Sequence, residues 1–182
     1  YDIEMVIQSN SADAIEKNIN QVVNLAISGG FLAILILWFF LRNIRLVTFI
    51  ALSIPISVLA AFNVFYAFDI SINSLTLIGL ALAIGMLVDN SVVVLENIYR
   101  LSGLGKSPRE AVLQGTREVW KSIFAATLTT ITVFLPFLFS DEIYIKLIGE
   151  HIGISIIATL IFSLFVALLF IPMATYLMLK AR

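Results

Sequence analysis

Asp89 is the one charged residue between Ile70 and Leu95, and Asn90 follows it directly. That stretch is long and apolar enough to cross a bilayer, where a mid-membrane carboxylate costs roughly 2.5–3.5 kcal/mol on insertion scales. Protonation, a cationic partner or a water-filled cavity has to offset that cost. A carboxyl group in low dielectric favours its neutral form, and a cation brought close restores the charge. A mobile cation beside Asp89 would thus switch its protonation, the elementary step of proton transport. The alternative is a structural Asp that hydrogen-bonds a neighbouring helix or reaches water at the interface.

The residues around Asp89 extend the pattern. Asp89, Val93, Glu96 and Arg100 follow the spacing i, i+4, i+7, i+11 and so share one helix face. Glu96 lies about 10 Å further along the axis, which offers a proton a route through water to the nearer surface. For Glu96 and Arg100 the plainer expectation is an interfacial ion pair at i, i+4. Gly79/Ala83 and Ala81/Gly85 are small-xxx-small pairs, which let another helix backbone approach closely. Thr127, Thr129, Thr130 and Thr132 put hydroxyls on the next long apolar run but are expected to bond back to their own backbone. His151 is expected at the interface. There is no cysteine, no HExxH motif, no nucleophile elbow and a single histidine, so neither a hydrolase nor a metal or cofactor site is expected.

These residues need helices to carry them. The chain is 60% hydrophobic and only 13% charged, with a mean hydropathy of +1.05. A soluble domain runs nearer a quarter charged. Uncharged or nearly uncharged runs cover Val22–Leu41, Leu46–Phe68, Ile70–Leu95, Ser122–Ser140 and Ile152–Leu179. Each is about as long as the ~20 residues that a helix needs to span hydrocarbon, or longer, and none shows the alternation of barrel strands. The fold class is an all-α membrane protein with five transmembrane helices, about 21–41, 46–68, 71–100, 109–139 and 147–179. The first run is no signal peptide, because a polar, acidic segment precedes it and no small-residue cleavage site follows.

With five crossings the chain ends lie on opposite sides. One side collects Arg42, Arg45, Arg100, Lys106, Arg109, Arg117, Lys121, Lys180 and Arg182, which is nine of the eleven basic residues. Only Lys17 and Lys146 fall on the other, among many acids. The basic side is expected to be cytoplasmic, with the N-terminus outside.

Residues Tyr1–Gln8 alternate apolar and polar side chains, as in a half-buried strand. A strand needs partners, so residues 1–20 read as the end of an external domain and a helix lead-in, with 21–182 the transmembrane domain. Arg42–Arg45 and Asp69–Asn73 are tight turns, and Pro55 is expected to kink the second helix. Ser107-Pro108-Arg109-Glu110 has the form of a capping box with Pro at the first helical position.

Gly79–Arg100 reads GLALAIGMLVDNSVVVLENIYR. This resembles the fourth transmembrane helix of the RND superfamily, in the hydrophobe and amphiphile exporter form G-x-x-x-A-I-G-x-L-V-D-D/N-x-x-V-V-x-E-N. Asp69–Thr76, Arg42–Arg45 and Ser107–Ala111 resemble the family's turns and lead-ins at the matching places. The resemblance implies transmembrane helices two to six of the N-terminal half, with Tyr1–Asn20 ending the first porter domain. It implies that Asp89 binds and releases the proton that drives multidrug export in a bacterial plasma (inner) membrane. Asn90 stands where many relatives carry a second Asp, leaving one titratable group.

In that family a partner lysine comes from the C-terminal half, and the whole transporter is a homotrimer. This chain alone is expected to transport nothing, to take no nucleic acid, and to have the lipid bilayer and the missing half as partners. A homodimer through the Ala81, Gly85 and Asp89 face is a further expectation for the chain alone. The competing readings are an RND-like accessory subunit of a protein-secretion translocase, whose matching motif differs from the DN form here, and an ion channel or intramembrane enzyme.

Overall fold

Local sequence chemistry sets the helix ends in the computed structural model, which describes residues 11–42 and 44–180. Helix α1 covers Ser11–Leu41, α2 Ile44–Ala67, α3 Ser74–Gly103, α4 Pro108–Leu138 and α5 Ile143–Lys180. The strand expected over Tyr1–Gln8 lies outside the described residues. The chain is an all-α membrane protein with five apolar helices. Among the described residues α2, α3, α4 and α5 are long and apolar enough to cross a membrane, and α1 adds the shorter apolar stretch Ile27–Phe39.

Helix α2 ends where Asp69 takes a left-handed conformation (φ 52°) and the Ile70 N–H donates back to the Phe65 carbonyl at 2.8 Å. This closure satisfies carbonyls that the helix end would leave unpaired. Three residues on, the Asn73 side chain accepts from the Leu75 and Thr76 N–H groups, and Thr76 Oγ1 accepts from the Asn73 N–H, fixing the start of α3. Ser107 and Glu110 form the expected reciprocal box at α4, with Pro108 in the first turn. Pro55 lies inside α2, which continues through it. Helix α5 is 38 residues long and is interrupted by two wide π turns, at Gly149–Gly153 and Val166–Phe170.

Helix α3 is the hub and packs on all four others. Towards the end bearing Arg45, Arg100 and Lys180, its Val94, Leu95 and Ile98 form a buried cluster with Leu46, Ile50 and Ile171. Towards the opposite end, Leu80 packs with Ala61, Phe65 and Ala158. Two glycines set the spacing. A Cβ on Gly79 would lie 2.8 Å from the Ile152 carbonyl oxygen of α5. One on Gly115 of α4 would lie 2.9 Å from the Ile98 Cα. Neither backbone can yield, so only glycine permits these crossings.

Candidate functional site

Three interhelical hydrogen bonds bracket Asp89, each to a different helix. The Leu87 carbonyl accepts from Ser163 Oγ of α5 at 3.1 Å. Asn90 Nδ2 donates to Thr127 Oγ1 of α4 at 3.2 Å. Ser91 Oγ donates to Ser53 Oγ of α2 at 3.3 Å, and Ser53 Oγ donates on to the Ile50 carbonyl at 2.6 Å. Ser53, Ser91 and Ser163 are buried, as is Thr127. Such bonds are worth on average only ~0.6 kcal/mol each in a membrane. Their larger effect is geometric, since together they fix the rotation of α3 about its axis.

That rotation points Asp89 away from the bundle. Asp89, Val93, Glu96 and Arg100 are all exposed, so the shared face expected from their spacing is an uncovered one. Gly85 lies on it too, with nothing within 4 Å of the place a Cβ would take. Among the described residues Asp89 makes no hydrogen bond or ion pair. No internal hydrogen bond or ion pair among them depends on that carboxylate.

The two small-residue pairs separate. Gly79 and Ala83 are buried, with Gly79 against Ile152 and Ser155 of α5. Ala81 is half-buried and borders an apolar cavity of about 540 Å³ between α1, α2 and α3, while Gly85 is open.

The expected Glu96–Arg100 pair does not form. Arg100 turns instead to Glu118 of α4, with Nη2 2.8 Å from Oε2. Asn97 steers it: its Oδ1 accepts from Arg100 Nε at 3.1 Å and Nη2 at 2.8 Å. The same side chain donates through Nδ2 to the Gly115 carbonyl at 2.8 Å and to Glu118 Oε2 at 3.0 Å. Glu96 is left exposed, with no ion pair among the described residues.

The threonines also divide. Thr129, Thr130 and Thr132 donate to the carbonyls four residues back at 2.8–3.0 Å, as expected. Thr127 instead accepts from Asn90. His151 Nδ1 lies 2.9 Å from the Leu147 carbonyl of its own helix. Sequence reasoning missed Ser53, Ser91 and Ser163, because a hydroxyl in an apolar run does not disclose which helix it faces. Their only signal was that they interrupt runs of larger apolar residues.

Comparison with known proteins follows the same lines. The sequence profile of the AcrB/AcrD/AcrF family matches residues 1–182. The multidrug resistance protein MdtC of Escherichia coli O139:H28 is 34% identical over 179 residues, covering 98% of this chain and 17% of that protein. The MdtC of Escherichia coli K12 is 35% identical over the same length. The swarming motility protein SwrC of Bacillus subtilis (strain 168) is 35% identical over 179 residues, covering 93% of this chain and 16% of that protein. The chain thus spans about one sixth of the length of these relatives. A bundle of five apolar helices around a motif-bearing α3 and a profile match from end to end agree: the chain belongs to the AcrB/AcrD/AcrF family of RND multidrug efflux transporters, multi-pass proteins of the inner membrane.

Proposed function

We propose that this chain is the N-terminal half of the proton-translocating transmembrane domain of an exporter of hydrophobic or amphiphilic compounds, and that Asp89 carries the coupling proton. The observation behind this reading is a carboxylate within the apolar run of α3 that lies on an uncovered face, while Leu87, Asn90 and Ser91 around it are each tied to another helix. Approach of a cation from a facing helix favours the ionised form, and its withdrawal favours the neutral one. Asn90 does not titrate, so a single proton-carrying group serves this half. The end rich in Lys and Arg faces the cytoplasm, and Glu96, about 10 Å from Asp89 towards that end, connects the site to water. The chain is a transport component rather than an enzyme, and complete transport needs the C-terminal half.

The test is Asp89→Asn in the full-length transporter, read by efflux of a hydrophobic dye. Export is expected to cease while expression and assembly persist. Near-normal efflux would end the proposal.

The same face dictates partners. In the complete transporter the homologous half covers Gly85 and Asp89, and three such chains assemble. For this chain alone a second copy fills the place around a twofold axis. Cysteines at Ala81 and Gly85 should then cross-link between copies in bilayers. A clean monomer mass would rule the dimer out.

A further inference from the structure

A groove between the first four turns of α4 and the last turns of α5 has no place in the reading above. It consists of two adjoining hollows of about 350 and 390 Å³, which share Val112, Leu113 and Pro172. One hollow is closed by Trp120 and Leu168 and the other by Arg109 and Tyr176. Because the helices run antiparallel, Arg109 and Tyr176 mark the outer end of the groove, while Arg117 shares the inner hollow with Trp120 and Leu168; each hollow thus joins an apolar floor to one cation. Arg109, Leu113, Thr116 and Trp120 are spaced i, i+4, i+7, i+11, so one face of α4 forms its wall. From Arg109 to Trp120 is about 16 Å along the axis, comparable to half the ~30 Å hydrocarbon thickness.

Its polar groups are unspent. Among the described residues neither Arg109 nor Arg117, both exposed at the rim, takes part in a hydrogen bond or ion pair. Thr116 Oγ1 is shielded from solvent and also lacks a partner, although Thr116 lines the groove. A shielded hydroxyl without a partner is uncommon in folded proteins. Two free guanidinium groups beside an apolar slot favour an anionic headgroup joined to a hydrocarbon chain, not a soluble anion or an uncharged helix.

We infer that this groove is a binding site for an anionic phospholipid, with the phosphate held by Arg109 and Arg117 and an acyl chain lying along Leu113, Leu168 and Met173. The inference rests on the reading that the basic end faces the cytoplasmic leaflet, where anionic lipids attract cationic segments. It does not depend on Asp89 carrying a proton. Thr116 is placed to donate to a headgroup or ester oxygen. Bound lipid would tie α4 to α5 at the level where Arg100 and Glu118 tie α4 to α3.

The test is lipid retention. The protein is reconstituted in nanodiscs of phosphatidylcholine doped with phosphatidylglycerol, and its retained lipids are weighed by native mass spectrometry. Wild type should keep phosphatidylglycerol in preference. One cation near an anionic surface is worth about a fivefold change in binding, so the double change Arg109→Gln and Arg117→Gln should lower the preference roughly 25-fold. Arg45→Gln, on the same side but outside the groove, should leave it unaltered. Met173→Trp fills the slot while keeping both cations and should abolish retention, which keeps the test decisive where the arginine changes impair assembly. An unchanged preference in Met173→Trp overturns the site and is the result expected if another helix fills the groove. An equal loss in Arg45→Gln overturns it as well, by showing general charge attraction. Displacement of the lipid by an equal concentration of free glycerol phosphate reassigns the cations to a soluble anion and rejects the lipid.

Discussion

Gly79 and Gly85 sit on the same helix, yet Gly79 is pressed against the backbone of α5 and Gly85 meets nothing. Alanine at either site gains about 1 kcal/mol of helix propensity over glycine. At Gly85 that gain should appear as stabilisation of up to ~1 kcal/mol. At Gly79 the new Cβ meets the Ile152 carbonyl, and overpacking should reverse the sign to ~1–3 kcal/mol of destabilisation. Unfolding of both variants in mixed micelles measures the difference, and equal effects would contradict the packing described.

Asp89 and Glu96 share a face but should not weigh equally in transport. Asp89→Asn removes the proposed proton carrier, whereas Glu96→Gln alters a side chain nearer bulk water. Dye efflux from cells carrying each full-length variant should fall to background for Asp89→Asn and stay clearly above it for Glu96→Gln. Equal losses would move the centre of the relay towards Glu96.

Thr127→Val removes the hydroxyl that accepts from Asn90 while keeping the shape of the side chain. A double-mutant cycle between Thr127→Val and Asn90→Ala should show a coupling of ~0.6–1.7 kcal/mol, the range of interhelical polar contacts in membranes. Thr129→Val, which loses only a bond within its own helix, should show no coupling to Asn90→Ala.

Arg100 and Glu118 have side-chain exposures of 54% and 36%, so screening weakens their attraction. Their coupling in a cycle of Arg100→Gln and Glu118→Gln should stay below ~1 kcal/mol and fade at 1 M salt. The parallel cycle between Arg100 and Glu96 should give none. A measurable coupling there would restore the ion pair expected from spacing alone.

That last contrast shows where sequence reading stops. The helices and the Ser107 and Glu110 box were legible because length, hydropathy and capping chemistry act locally. Asp89 stands out in the sequence because a lone charge in an apolar stretch demands an offset, but its place on an uncovered face was not legible there. Arg100 was not legible either, since two carboxylates lay within its reach and Asn97, which neighbours both, decided between them. The burial of Gly79 and the openness of Gly85 were equally hidden. Both belong to small-residue pairs of the same form, and only the rotation of α3, fixed by Ser53, Thr127 and Ser163, tells them apart.

The 38 residues of α5 have a further consequence. At 1.5 Å per residue the helix is about 57 Å long, nearly twice the ~30 Å of hydrocarbon it has to cross. The excess is taken up by inclination, by overhang past the headgroups, or by local thickening of the bilayer, each at a fraction of a kcal/mol per Å. Because α5 packs along α3, any change in its tilt is passed to the helix that carries Asp89. A change in the thickness of the surrounding membrane is therefore expected to reach the bundle through α5, in a way set by lipid composition and independent of pH.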